Sequence, residues 1–268
     1  MDAVEVGGLR IAYERFGQGP PLILLHGFVG DGPGTWRHQL DALSDEFTVV
    51  AWDAPGAGHS DDPPEFFRLP DYAECLAGFV TALGLSRPSV AGVSFGAALA
   101  LEFYGRFPST PVSLILASAY AGWAGSLPPD VVQERLRLSL ALADVSPEQR
   151  TRAMLPSMFS SAGPAERARA FVESMSPFSR VGFRVMTYAL AEADLRSVLP
   201  QITVPTLLLY GGQDVRAPRE VAEAIHAAVP HAELVWLPEA GHALCVEAPD
   251  KFNAAVRRFL RGSLSDAR

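Results

Sequence analysis

Residues 88–98 read Pro-Ser-Val-Ala-Gly-Val-Ser-Phe-Gly-Ala-Ala, with Ser94 at the centre of a Gly-x-Ser-x-Gly pentapeptide. The β-forming residues 88–93 lead into the pentapeptide, and a helical pattern over residues 97–107 follows it. The sequence therefore predicts a strand that turns sharply into a helix at Ser94. Glycines two residues to either side suit such a turn, because a Cβ there would collide with neighbouring backbone. A helix that begins here directs unpaired N–H groups towards any anion formed beside the serine.

Segments of strand length alternate with helical patterns along most of the chain, and several are short continuous apolar runs. Such runs are typical of parallel strands that are buried on both faces. The opening residues 4–16, interrupted by two glycines, predict a hairpin. The alternation predicts an α/β fold with a mostly parallel, doubly wound sheet, whose ligands lie at the carboxyl ends of the strands. The other predicted strands cover residues 21–25, 47–52, 112–117, 206–210 and 233–237, and the other predicted helices cover residues 35–44, 71–83, 218–229 and 249–261.

The alternation stops near Tyr120 and resumes at Val204. The residues between them have helical patterns and are too numerous and too amphipathic for a plain loop. We therefore expect a core formed by residues 1–119 and 200–268, with an inserted helical lid over residues 120–199. The lid is rich in methionine and phenylalanine, which favours an adaptable apolar pocket, although part of this set is expected to build the lid's own core. The candidate pocket residues are Trp123, Met154, Met158, Phe159, Met175, Phe178 and Met186.

Three polar residues lie near the ends of predicted strands: Ser94, Asp214 and His242. A serine hydroxyl needs an imidazole to take its proton, and the imidazole needs a carboxylate to hold its tautomer. The chain order serine, aspartate, histidine is the one expected for this architecture. We therefore expect these three side chains to form a catalytic triad. Asp194 and Glu239 are rival acids, although neither directly follows a core strand.

A tetrahedral intermediate on the serine needs N–H donors for its oxyanion. The first predicted donor is the backbone N–H of Phe95, which follows the serine, and the second is the N–H of Phe28, in the loop after residues 21–25. We expect His26 to hydrogen-bond within its own loop and Asp53 to fix a glycine-rich turn near the site.

Arg180 and Arg184 lie on one helical face at i, i+4 spacing. Two such guanidinium groups could bind a substrate carboxylate. Exposure at the surface is the simpler interpretation of the same pattern.

The composition argues against several classes of partner and cofactor. The net charge of −8 disfavours nucleic acid and anionic membranes, and no apolar run approaches the ~18 residues of a membrane span. The amino terminus lacks a signal-like segment, and Cys75 and Cys245 are expected to be free thiols, so the sequence predicts a cytoplasmic protein. No metal-ligand spacing or nucleotide motif is present, so we expect no metal or cofactor. A small-molecule substrate is the expected partner, and assembly into a homo-oligomer stays open.

Together these motifs resemble the α/β-hydrolase family, over essentially the whole chain. The resemblance is strongest to small bacterial enol-lactonases, carboxylesterases and haloperoxidase-like esterases. A stretch from Asp31 to Trp36 is similar to carbon–carbon bond hydrolases, but those usually have tryptophan after the catalytic histidine, where this chain has Ala243. The motifs are His26-Gly27-Phe28, the turn from Asp53 to Ser60, the Ser94 pentapeptide, Gly-x-Asp214 and Gly241-His242.

The resemblance and the triad together imply a serine hydrolase that cleaves a carboxylic ester or lactone through an acyl-Ser94 intermediate. A carbon–carbon bond hydrolase or an acyltransferase would use the same triad. A ligand-binding receptor on a hydrolase scaffold is the alternative from another class, because a fold alone does not determine function.

Overall fold

The computed structural model describes residues 1–163, 165–175 and 178–265. Their strands form one sheet in the order β1-β2-β4-β3-β5-β6-β7-β8. β1 and β2 form the predicted hairpin, β2 also pairs antiparallel with β4, and every other pairing is parallel. The predicted α/β-hydrolase fold is confirmed. The strands are β1 Asp2–Val6, β2 Leu9–Phe16, β3 Pro21–Leu25, β4 Thr48–Trp52, β5 Ser89–Val93, β6 Ser113–Ala117, β7 Thr206–Gly211 and β8 Glu233–Leu237.

The helices begin and end close to the predicted positions. α1 packs against α9 and α10, α2 packs against α3, and α3 packs on β5. The short helix α9 after His242 was not predicted, because four residues are too few to show a helical period. The helices are α1 Gly32–Leu43, α2 Leu69–Ala82, α3 Phe95–Arg106, α4 Pro129–Ala143, α5 Pro147–Met154, α6 Arg169–Ser174, α7 Arg180–Glu192, α8 Arg219–Ala228, α9 Leu244–Glu247 and α10 Pro249–Ser265.

The starts of two helices differ from the prediction for a local reason. α1 begins at Gly32 rather than residue 35, because the Asp31 carboxylate caps it by accepting a hydrogen bond from the Gly34 N–H at 2.6 Å. α2 begins at Leu69, and the Asp71 carboxylate accepts from the Arg68 N–H at 2.7 Å. Asp71 is therefore a capping residue within the first turn and not the start of the helix.

The segment between β6 and β7 contains α4, α5, α6 and α7, so the described part of the predicted lid is largely helical. Residues 164, 176 and 177 of that segment, and residues 266–268 of the predicted core, lie outside the described residues. α6 packs on α1, and α7 packs on α2 and α3. α7 approaches the Asp53 turn so closely that a Cβ at Gly182 would lie 2.0 Å from the Gly56 carbonyl oxygen. The action of this segment as a lid remains a prediction.

Candidate active site

Ser94 stands at the turn from β5 to α3. Its φ of 54° and ψ of −110° place it in a conformation that L-residues rarely adopt. The turn is fixed by the Ser94 N–H, which donates to the Ala117 carbonyl at 2.9 Å. A Cβ at Gly92 would lie 2.2 Å from the Gly96 carbonyl oxygen, and one at Gly96 would lie 2.1 Å from the Leu25 carbonyl oxygen. Both glycines of the pentapeptide are therefore required by the packing of the turn.

His242 and Asp214 are joined by a hydrogen bond in the buried part of the same region. The Nδ1 of His242 lies 2.8 Å from the Oδ2 of Asp214, and both side chains are almost fully shielded from solvent. Asp214 lies in the loop between β7 and α8, and His242 lies in the loop between β8 and α9. The sheet order places β7 beside β8, so this contact follows from the pairing of the strands.

Asp214 receives further hydrogen bonds from three donors. Its Oδ1 accepts from the N–H groups of Arg216 at 2.8 Å and Ala217 at 2.9 Å, and its Oδ2 accepts from the Ser118 hydroxyl at 2.8 Å. Burial by itself would raise the pKa of Asp214, but the charge of His242 and these hydrogen bonds outweigh burial and lower it. The carboxylate is therefore held in the charged form that can stabilise an imidazolium.

Ser118 was not identified from the sequence. It directly follows β6, adopts a positive φ of 44°, and lies within 3.0 Å of the His242 carbonyl oxygen as well as bonding to Asp214. The signal that could have found it is the same one that found Ser94, a serine immediately after a buried strand.

The rival acids have other partners. Asp194 pairs with Arg196, and Glu239 pairs with Lys251 at 2.9 Å on the protein surface. Neither carboxylate is bonded to His242, so the geometry favours Asp214 as its partner.

The predicted oxyanion donors lie around Ser94. Phe95 is the first residue of α3, and the backbone after β3 comes close enough that a Cβ at Gly27 would lie 3.8 Å from the Ser94 Cβ. No described residue accepts a hydrogen bond from the N–H of Phe28 or Phe95. Both donors are therefore unoccupied, as an anion-binding role requires.

The Ser94 hydroxyl makes no hydrogen bond to a described residue, although Ser94 and His242 border the same pocket. Catalytic hydrogen bonds are often long in the absence of substrate and shorten when it binds.

His26 and Asp53 hold the loops beside the site. His26 Nε2 accepts from the Ala54 N–H at 3.0 Å, and its Nδ1 lies 2.8 Å from the Gly27 carbonyl oxygen. Burial lowers the pKa of His26 to about 4, so the ring is neutral. Asp53 accepts from the N–H groups of Gly32 and His59, and burial raises its pKa to about 6. The contact of His26 with Gly27 and the turn contacts of Asp53 were expected from the sequence, whereas the hydrogen bond from Ala54 joins His26 to the Asp53 loop and was not.

A narrow pocket adjoins Ser94 and His242. Met154 and Met158, two of the candidate pocket residues, line it. Phe171 and Val246 also form part of its mostly apolar wall. Of the other candidates, Trp123 borders a neighbouring cleft, while the rest are buried in packing outside the pocket wall: Phe159, Met175, Phe178 and Met186.

Two polar pocket residues were not identified from the sequence, Thr35 and Arg216. Arg180 and Arg184, the arginines that the helical spacing singled out, instead lie near Asp144 and border a separate surface cleft. The signal for Arg216 was its position two residues after Asp214, at the carboxyl end of a strand. Thr35 carried no such signal, because the contact between α1 and the site is made by packing of distant elements.

The described residues contain no cluster of three or more histidine, cysteine, aspartate or glutamate side chains that could hold a metal ion. Among the same residues, no helix is long and apolar enough to cross a membrane. The thiols of Cys75 and Cys245 are free, and burial raises the pKa of each to about 12.

Residues 20–249 match the family described as the alpha/beta hydrolase fold, so the chain belongs to that family. It is an α/β-hydrolase enzyme, and it resembles esterases and lactonases. The chain is 34% identical to the dihydrolipoyllysine-residue acetyltransferase component of the acetoin cleaving system of Pseudomonas putida, a match that covers 96% of this chain and 68% of that protein.

Two solved structures show the same fold over nearly the whole chain. A thermophilic esterase from Thermogutta terrifontis has a TM-score of 0.90 and 27% identity, covering 98% of this chain and 99% of that one. The enol-lactonase from Burkholderia xenovorans LB400 has a TM-score of 0.88 and 24% identity, covering 97% and 100%. At 24% identity, the similarity to the enol-lactonase shows a shared fold.

Proposed function

We propose that the protein is a serine hydrolase that cleaves a carboxylic ester or lactone of a small molecule. In this proposal Ser94 is the nucleophile, His242 is the general base, and Asp214 is the carboxylate that orients His242. The observation that supports this most strongly is the 2.8 Å hydrogen bond between His242 and Asp214 beside the pocket that Ser94 borders. A buried imidazole held by a charged carboxylate is suited to take and return a proton.

The chemistry follows from these roles. His242 takes the Ser94 proton as the Ser94 oxygen attacks the substrate carbonyl, and the resulting oxyanion accepts hydrogen bonds from the backbone N–H groups of Phe28 and Phe95. The imidazolium then gives its proton to the leaving alcohol oxygen as the carbon–oxygen bond breaks. Water attacks the acyl-Ser94 by the same route, which releases the acid and restores the serine.

An acyltransferase is the second candidate, because the Pseudomonas putida relative is named as an acetyltransferase component. The two reactions share the acyl-Ser94 intermediate and differ in the acceptor that removes the acyl group. Measuring the product with and without an added alcohol or thiol separates them: a hydrolase releases mainly free acid, and a transferase mainly the new ester or thioester.

The proposal is tested by turnover of a 4-nitrophenyl ester and by labelling with a fluorophosphonate, which reacts with activated serines. Ser94→Ala should lose the label and reduce kcat by about 10⁴ or more. Ser109→Ala is a matched control, because Ser109 is exposed in the loop between α3 and β6 and does not line the Ser94 pocket. Sustained turnover excludes a receptor, whereas activity of Ser94→Ala within tenfold of the wild type contradicts the assignment of the nucleophile.

A further inference from the structure

Arg216 lies at the boundary between two cavities. It lines the pocket that holds Ser94 and His242, and it also lines an outer cleft of about 270 Å³. Met154 is the other residue common to both walls. A substrate that reaches Ser94 from the outer cleft would pass beside the Arg216 side chain.

The guanidinium of Arg216 has a hydrogen-bond acceptor but no counter-ion. Its Nη1 donates to the Ser157 hydroxyl at 2.8 Å, and it forms no salt bridge with a carboxylate in the described part of the chain. Arg180 and Arg184, by contrast, lie near the carboxylate of Asp144. Arg216 therefore keeps most of its donors available for a ligand in the pocket.

The backbone of Arg216 is anchored on both sides. Its N–H donates to Asp214 Oδ1 at 2.8 Å, and its carbonyl accepts from Arg135 Nη2 at 3.0 Å and from the Tyr120 hydroxyl. The base of the side chain is thus fixed relative to the acid that holds His242. Only the rest of the Arg216 side chain can change its conformation to fit a ligand.

The surroundings make an unpaired charge here costly. Burial is the main cause that lowers the pKa of Arg216, and the nearby charge of Arg135 lowers it further, while Tyr120 and Asp214 act in the opposite direction. A guanidinium remains protonated at neutral pH in spite of such shifts. An anion in the pocket would offset the cost through charge-assisted hydrogen bonds.

Thr35 supplies a second unsatisfied group in the same pocket wall. Its hydroxyl is buried and has no hydrogen-bond partner among the described residues. A purely apolar substrate would leave this hydroxyl and the remaining N–H donors of the Arg216 guanidinium without partners, which lowers affinity. A substrate with polar oxygens at its far end would satisfy them.

We propose, resting on the assignment of Ser94 as an ester-cleaving nucleophile, that the substrate carries a carboxylate that pairs with Arg216 while its ester carbonyl lies at Ser94. The substrate class is therefore the monoesters or lactones of dicarboxylic acids. The apolar residues of the pocket contact the methylene chain between the two ends.

The test compares two 4-nitrophenyl esters of equal length, the monoester of adipic acid and the ester of its neutral monoamide, together with the shorter and longer diacid pairs. Spontaneous hydrolysis is subtracted for each. A charge-assisted hydrogen bond contributes about 1.5–3 kcal/mol, so the acid should exceed the amide in kcat/KM by about 10- to 100-fold in the best pair. The ratio of the two values is the readout, because it cancels any general loss of activity.

Arg216→Gln should bring that ratio close to one, and Arg216→Lys should restore part of it. Arg184→Gln is the matched control and should leave the ratio unchanged, because Arg184 borders a different cleft. Thermal unfolding of each variant checks that the fold is retained. A wild-type ratio near one in every pair, a ratio that survives Arg216→Gln, or a ratio lost in Arg184→Gln would each overturn the inference.

Equilibrium binding separates this inference from the proposed function. Adipate should bind the wild type and Ser94→Ala alike by calorimetry, and at least tenfold more weakly to Arg216→Gln. If no ester is turned over while this difference in binding persists, the proposed hydrolysis fails and the carboxylate site stands. If esters are turned over but adipate binds wild type and Arg216→Gln equally, the carboxylate site is refuted and the hydrolase stands.

Discussion

The backbone N–H of Ala243 donates to the carbonyl oxygen of Met158 at 2.8 Å. Ala243 immediately follows His242, and Met158 lines the Ser94 pocket from the segment between β6 and β7. A second connection lies beside the first: the Glu247 carboxylate accepts from the Gly241 N–H at 2.7 Å and from the N–H and hydroxyl of Ser160. The predicted lid is thus bonded directly to the loop that carries the histidine.

Replacing Glu247 should loosen that connection. Glu247→Gln exchanges one acceptor oxygen for a donor, so either Gly241 or Ser160 loses its partner. We expect the free energy of unfolding to fall by about 1–3 kcal/mol, the usual cost of an unsatisfied buried polar group. We also expect kcat/KM to fall, because the His242 loop is less firmly held. Chemical denaturation and ester kinetics measure the two effects.

The control is Glu173→Gln, which removes the charge of an exposed glutamate of α6 that has no ion pair among the described residues. Its stability and activity should match the wild type within ~0.5 kcal/mol and twofold. Equal behaviour of the two variants would show that the Glu247 contacts do not hold the loop.

The identity of the acid can be tested by three substitutions. Asp214→Asn keeps the shape of the side chain but removes the charge that fixes the His242 tautomer, so kcat should fall by about 10²–10⁴. Asp194→Asn and Glu239→Gln remove surface ion pairs and should leave kcat within about twofold. Single-turnover kinetics with a 4-nitrophenyl ester measures the loss, and a comparable loss in either control would transfer the role to that residue.

Stability should depend on pH through His26. The folded pKa is lowered to about 4, whereas an unfolded histidine titrates near ~6.5, so the unfolded state alone binds a proton between these values. The contribution of His26 to the free energy of unfolding is therefore complete above pH ~6.5 and is lost as the pH falls towards 4. About 2 kcal/mol of it should be lost between pH 7.5 and 5. Denaturation at both pH values measures it.

His26→Gln removes this titration, so its free energy of unfolding should fall by about 2 kcal/mol less than that of the wild type over the same pH interval. The buried Asp53, with its pKa raised to about 6, titrates in the opposite sense, but it is present in both proteins and cancels in the comparison. Parallel pH curves for the two proteins would refute the lowered pKa of His26.

The apolar wall of the pocket should determine which acyl chain length the enzyme prefers. For neutral 4-nitrophenyl esters, kcat/KM should rise about fourfold per methylene, equal to ~0.8 kcal/mol, from acetate towards butyrate or hexanoate before it falls. Met158→Ala enlarges the pocket and should move the optimum to longer chains. Met186→Ala, at a buried position outside the pocket wall, should lower stability without moving the optimum. Activity confined to acetate would contradict an apolar acyl site.

The features that the sequence predicted correctly are those encoded locally. A buried strand is a short apolar run, and Ser94 lies in a pentapeptide whose glycines are required by contacts within one turn. The strand ends therefore singled out Ser94, Asp214 and His242 on the chain, and the order of the parallel strands, which was not predicted, brings them to one edge of the sheet.

The features that were missed depend on contacts between distant parts of the chain. Glu247 and Ser160 are 87 positions apart, and Ser118 and Asp214 are 96 apart. Neither residue type nor helical period distinguishes such a glutamate or serine from an ordinary one. The arginines with regular helical spacing, Arg180 and Arg184, proved to border another cleft, whereas the isolated Arg216 borders Ser94.

One strand, β6, separates the strand before Ser94 from the strand before Asp214. Neighbouring strands are about 4.8 Å apart, so the sheet sets the span between the proposed nucleophile Ser94 and the proposed acid Asp214 at about two strand widths. The helices α4, α5, α6 and α7 between β6 and β7 lie outside the sheet and do not set this spacing. The intervening helices can therefore be lengthened, shortened or replaced without altering the spacing of the strands that carry Ser94 and Asp214, because the hydrogen bonds of the sheet fix that spacing.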